Sequence, residues 1–147
     1  MSNVLRIGCL SVKPGAKAFG KLNAGERTDG SPLDIPLILI NGARSGPKLG
    51  LFAGIHADEY NGIETLRRVT LSVDPKELKG SIIMVPVANI MAFQARDRIS
   101  PIDHKNLNRD FPGDPNGSIT DRLAHKLFSE IMSQVDYFID FQTVALF

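Results

Sequence analysis

Short apolar runs at residues 35–40, 49–53, 81–87 and 135–141 stand between clusters of Gly, Pro, Asn and Asp. Runs of that length bounded by turn residues suit buried strands. Helical spacing appears elsewhere. Ile63, Leu66 and Val69 recur every three residues, and Leu123, Leu127, Phe128, Ile131, Met132 and Val135 place one apolar stripe along a later helix. Ser118-Ile119-Thr120-Asp121 resembles a capping box that would open that helix. Residues 89–95 suit a short helix, and residues 4–12 alternate well enough for one strand. Residues 13–31 are rich in Gly, Lys and polar side chains and read as loop, interrupted at most by a short strand at 18–22. Residues 96–117 hold three prolines and two glycines with no apolar period. A structureless connection of that length is uncommon in a compact domain and is often functional. Strands alternating with helices predict an α/β domain over residues 1–147, with a mixed, largely parallel sheet flanked by helices.

Composition narrows the classes. Hydrophobic residues make up 43% and charged residues 22% of the 147 positions, as in an average soluble globular protein. Lys and Arg number 17 against 16 Asp and Glu, so a net +1 gives no field that would gather nucleic acid or an anionic membrane. A single cysteine, Cys9, excludes an internal disulfide framework and fits a reducing compartment, where it reads as an inert core or edge residue. No long apolar span or signal-like N-terminus is present, so the expected location is cytoplasmic.

The candidate chemistry centres on Gly54-Ile55-His56-Ala57-Asp58-Glu59. The periodicity puts His56 just past a strand end and Glu59 at the start of the next helix. In an open α/β sheet that junction borders the crevice where ligands bind. An imidazole and a carboxylate three residues apart can turn toward one divalent metal, and catalytic zinc accepts both while keeping a position open. Taken alone, the pair is better explained by acidic residues at a helix N-terminus and a polar loop histidine. His104 and His125 do not read as ligands, and His125 falls off the apolar stripe toward solvent.

Three segments together change that balance: 54–59; 89–98 with 100–103 and Asn106-Leu107-Asn108-Arg109-Asp110-Phe111-Pro112-Gly113; and 136–143. In this order and spacing, from about residue 35 onward, the chain resembles the succinylglutamate desuccinylase/aspartoacylase family. These are zinc amide hydrolases related in fold to the zinc carboxypeptidases. The resemblance implies that His56 and Glu59 are metal ligands, that Arg98 faces the scissile carbonyl and its oxyanion, and that Asn108 and Arg109 grip the substrate carboxylate. Each role is physically sound. A fixed guanidinium stabilises a developing oxyanion, arginine's planar fork takes a carboxylate through two parallel hydrogen bonds, and zinc lowers the pKa of bound water to about 7.

Two departures accompany the matches. The family's third zinc ligand is a histidine, and its position here is Gln142, a poor zinc donor; His104 is the nearest substitute on the site loop. The family's general-base glutamate lies beyond residue 147, and the fold is expected to be truncated at the C-terminus, with Glu64 and Glu130 matching no catalytic position. The implied function is a zinc-dependent hydrolase of the amide bond of N-acyl amino acids. Two alternatives stand beside it: a non-catalytic binding remnant of that fold, and a carboxypeptidase-like peptidase. The implied partner is a small carboxylate substrate. An unpaired sheet edge would also permit a homo-oligomer.

Overall fold

The computed structural model describes residues 3–143. A small hairpin of β1 (Leu5–Ile7) and β2 (Leu10–Val12) opens the chain. The main sheet comprises β3 (Ala16–Glu26), β4 (Pro32–Asn41), β5 (Arg44–Ala53), β6 (Lys79–Val85) and β7 (Tyr137–Phe141), in the order β3-β4-β6-β5-β7. Between them run α1 (Tyr60–Ser72), α2 (Ile90–Ala95), the single turn α3 (Leu107–Asp110) and α4 (Ile119–Glu130).

Alternation along β4 sets the layers. Leu37 and Leu39 join Phe52, Ile83, Val85, Leu123 and Leu127 in one core, with α4 and the β1–β2 hairpin packed on that face. Ile40 joins Leu51, Met84 and Leu66 in a second core beneath α1. Side chains that point to opposite faces at successive positions fill both layers, as a sheet covered on both sides requires.

The sheet is mixed, with helices on both faces, but it is not largely parallel. β3–β4 and β4–β6 pair antiparallel, whereas β6–β5 and β5–β7 pair parallel. Besides the antiparallel β4–β6 pair, the difference comes from residues 13–31, read as loop with at most a short strand at 18–22 but largely the eleven-residue strand β3. Its sequence hid the strand because one face is solvated. Lys17 and Lys21 alternate with Ala16, Ala18 and Leu22, and Phe19 is exposed. Residues 4–12 form a hairpin instead of one strand, turning at Gly8 with φ 53°, a left-handed conformation that glycine adopts without strain. Cys9 sits exposed in that turn and not in the core. The final apolar stripe also divides. Leu123, Leu127 and Ile131 are buried, but Phe128 is exposed, α4 ends at Glu130, and Val135 lies beyond a short 3-10 turn at Met132–Gln134. His125 is half-buried on α4, not fully turned to solvent.

Candidate active site

The carboxyl ends of the parallel strands β5, β6 and β7 point the same way, and the residues that follow them meet. After β5, Gly54 takes φ 64°, turning the chain toward His56. Its carbonyl accepts the Asn89 N–H at 2.9 Å, while Ala53 accepts from Ala88 at 2.9 Å, so the ends of β5 and β6 are laced together. Asn89 then caps α2 by accepting the Ala92 N–H. Glu59 is the N-cap residue of α1, and a Tyr60–Phe93 edge contact ties the first turn of α1 to α2.

His56 and Glu59 are 5% and 2% exposed, with Nδ1 and Oε1 3.1 Å apart. Arg98 reaches both: Nη1 lies 3.0 Å from Glu59 Oε1 and Nη2 lies 3.1 Å from His56 Nδ1. A weaker contact runs from Nη1 to Asp58 at 3.4 Å. The other Glu59 oxygen accepts the Thr143 N–H at 2.7 Å, which brings the end of β7 into the site. On the far edge of the imidazole, His56 Nε2 lies 3.0 Å from Asn106 Oδ1. Residues remote in sequence thus converge on one buried imidazole and one buried carboxylate.

The segment 96–117, read as structureless, is ordered by its polar side chains. Asp103 accepts from Ser118 Oγ at 2.7 Å, Thr120 Oγ1 at 2.7 Å and the Thr120 N–H at 3.0 Å. Partial burial pushes the Asp103 carboxyl up, but the hydrogen bonds from Ser100, Ser118 and Thr120 outweigh it and hold the group well below the usual carboxylate range. Lys105 pairs with Asp121 at 2.7 Å, and Asp121 also accepts the Ser118 N–H at 2.8 Å, the expected capping contact. The segment is therefore pinned to the start of α4 and includes α3, with Asn106 as the N-cap that accepts the Asn108 N–H at 3.0 Å.

Of the sequence-derived candidates, His56, Glu59 and Arg98 lie within hydrogen-bonding distance of one another. Asn108 is half-buried and Arg109 exposed, both on α3 directly after Asn106. Gln142 is exposed and donates from Nε2 to Asp140, two residues back. Burial pushes the Asp140 carboxyl up; the Gln142 hydrogen bond opposes that and the nearby Glu59 charge adds to it. His104 is exposed at φ 55° on the pinned loop, and Glu64 faces Arg67 and Arg68 on the outer side of α1. Sequence reasoning assigned no role to Asn106, Asp140 or the Thr143 N–H. Asn before a helical turn is a readable cap signal, but nothing in the sequence shows its reach to His56.

The donor chemistry suits a divalent cation at two positions. An imidazole and a carboxylate, both buried, face a point where a guanidinium now bridges them, and the nearby Asp140 Oδ1 is buried without a hydrogen-bond partner. No group of three or more His, Cys, Asp or Glu that would hold a metal exists among the described residues. With its amide nitrogen on Asp140, Gln142 has only its amide oxygen to offer.

The succinylglutamate desuccinylase/aspartoacylase catalytic domain matches residues 45–144. The N-alpha-acetyl-L-2,4-diaminobutyric acid deacetylase of Halomonas elongata is 39% identical over 95 residues, 65% of this chain and 28% of that protein. A succinylglutamate desuccinylase/aspartoacylase from Rhodobacter sphaeroides superposes with TM-score 0.82 at 33% identity, covering 96% of this chain and 44% of its own. The product-bound ectoine utilization protein EutE (DoeB) from Ruegeria pomeroyi gives 0.81 at 30%, covering 97% and 44%. The chain spans less than half the length of each of these relatives. With the catalytic-domain match over most of its length and the same fold in solved relatives, the chain belongs to the succinylglutamate desuccinylase/aspartoacylase family.

Proposed function

We propose that this chain forms the metal- and substrate-binding part of a zinc-dependent deacylase that hydrolyses the amide bond of a small N-acyl amino acid. The supporting observation is the convergence of His56, Glu59 and Arg98 at the carboxyl ends of the parallel strands, next to the Asn108–Arg109 turn. His56 Nδ1 and Glu59 would hold the zinc, and the Gln142 amide oxygen would be a weak third donor. When bound, zinc supplies Lewis acidity and an activated water.

This chain's own residues do the rest. Arg98, with its side chain 43% exposed, offers a guanidinium to the oxyanion that develops on the scissile carbonyl. Arg109, exposed one residue after Asn108, is free to take the substrate carboxylate through its planar fork, with the Asn108 amide beside it. The substrate class follows the relatives, one of which is a deacetylase of N-alpha-acetyl-L-2,4-diaminobutyric acid.

A second reading, favoured by Gln142 at the third ligand position, is a module that binds the carboxylate without turnover. Zinc content and hydrolysis of N-acetyl-2,4-diaminobutyrate, N-acetylaspartate and N-succinylglutamate separate the two, measured for this chain and for Gln142→His. Tight zinc with release of the free amino acid supports the deacylase. Zinc and turnover only in Gln142→His support a binding module with a lapsed metal site. If neither protein binds zinc, the assignment of His56 and Glu59 as ligands fails.

A further inference from the structure

We infer that Asn106 is a positioning residue that sets the tautomer of His56, holding Nε2 as the N–H and leaving the Nδ1 lone pair as the nitrogen offered to a cation. The consequence for zinc rests on the function proposed above; the tautomer itself does not.

The argument begins at the Asn106 side chain. Its Oδ1 accepts the backbone N–H of Asn108 at 3.0 Å, as the N-cap of α3. Reversing the amide would set its NH₂ against that N–H, donor against donor, so the oxygen is the atom that faces inward. The same Oδ1 lies 3.0 Å from His56 Nε2. An amide oxygen only accepts, so Nε2 must donate and carries the proton.

The opposite edge of the ring makes the complementary demand. Arg98 Nη2 lies 3.1 Å from His56 Nδ1, and a guanidinium only donates, so Nδ1 must accept. Two groups on two sides of a ring only 5% exposed therefore call for the same neutral form. Glu59 Oε1, 3.1 Å from Nδ1, then sets one lone pair beside another. Arg98 relieves that approach by donating from Nη1 to Glu59 at 3.0 Å while Nη2 donates to Nδ1. A divalent cation in the same place would take both lone pairs.

Asn106 thus acts through His56 and need not touch metal or substrate. The Asp103 and Lys105 contacts with α4 give it a fixed platform, because they anchor the loop immediately before it. Its amide is neutral, so it orients the imidazole without adding negative charge behind it. An acid at this position would orient the ring equally and make Nδ1 a better donor.

The test is the ¹⁵N spectrum of histidine-labelled, metal-free protein with the imidazoles neutral, His56 being assigned by the signals lost in His56→Gln. The expected parent spectrum has a protonated Nε2 and a pyridine-like Nδ1. Asn106→Leu should lose that preference and Asn106→Asp should keep it. Zinc affinity, measured by chelator competition, should fall about 10–100-fold in Asn106→Leu and be restored in Asn106→Asp. A parent His56 protonated at Nδ1, or a tautomer unchanged in a folded Asn106→Leu, overturns the inference. Should Asn106→Leu not fold, the parent and Asn106→Asp spectra decide it. If the tautomer is as expected and depends on Asn106 but the parent takes no zinc, the positioning role stands and the zinc reading alone falls.

Discussion

The Glu59 carboxylate is buried, yet both its oxygens are satisfied, one by the Arg98 guanidinium and the other by the Thr143 N–H. A buried charge persists only when paired and hydrogen-bonded in this way. Arg98 therefore has two roles that pull apart in a variant. In metal-free protein it neutralises Glu59 and accommodates the Nδ1 lone pair of His56; in turnover it would serve the oxyanion. Replacing it by alanine leaves Glu59 without its cation, a loss of about 1–3 kcal/mol in stability, read from the urea midpoint. The same replacement removes the group that competes with metal for His56 and Glu59. Arg98→Ala should therefore bind zinc at least as tightly as the parent while kcat drops ~10²–10³-fold. Weaker zinc binding in a folded Arg98→Ala would show instead that the guanidinium supports the metal site.

At the scale of elements, the site depends on how closely α1 approaches the ends of β5 and β7. Gly62 makes that approach possible. A Cβ there would lie 2.7 Å from the Phe141 carbonyl oxygen and 3.2 Å from the Ala53 Cβ. Gly62→Ala should push the start of α1 outward, lower stability by about 1–3 kcal/mol and lengthen the Glu59–Thr143 bond. Thermal melts and the Thr143 amide exchange rate would read this, and an unchanged exchange rate would count against the close-packing account. The loop clamp makes a separate prediction. Asp103 has its folded pKa depressed, so its contribution is fully present above the unfolded value near 3.9 and is lost as pH falls through the lower folded value. Asp103→Asn should therefore cost stability at neutral pH, and the gap to the parent should close under strong acid. These elements also show which parts of the fold were legible. β4, β5, β6, α1 and α4 carry unbroken apolar runs or a clear three-to-four spacing, and the sequence places them correctly. Of β3 only a short strand at 18–22 was legible, because its solvated face carries Lys17, Lys21 and Asn23, which read as loop. α3 was missed because one helical turn has no period; its stability comes from the Asn106 cap and the Asp103 contacts, made to residues 15 to 17 positions away.

At the scale of the whole molecule, the site was legible as residue types and not as a constellation. His56 and Glu59 stand three apart and can be paired by eye, and Arg98, Asn108 and Arg109 came from resemblance. That Asn106 would reach the far nitrogen of His56, 50 positions earlier, is a product of tertiary folding. The same holds for the edge of the sheet. β7 is the last strand of the described sheet beside β5, and Tyr137, Phe138 and Ile139 are 64%, 36% and 46% exposed. An apolar groove runs along it, lined by Pro47, Leu49, Leu78, Ile82, Tyr137 and Ile139. Lys79 and Ser81 also line this groove, but Tyr137, Phe138 and Ile139 form an exposed apolar stretch of β7, and such a strand edge is a template for pairing with another chain. This chain should therefore associate with itself in a concentration-dependent way. Ile139→Lys places a charge on that exposed position without touching either core, since the backbone ladder of Ile139 to Leu51 is retained. Sedimentation velocity over a dilution series should show the parent shifting to larger species and Ile139→Lys staying at the monomer value, with zinc content equal in both. A parent that stays monomeric at every concentration would remove β7 as an association surface and leave the site chemistry untouched, because Glu59 is held by the Thr143 N–H beyond the strand end and not by the strand's free edge.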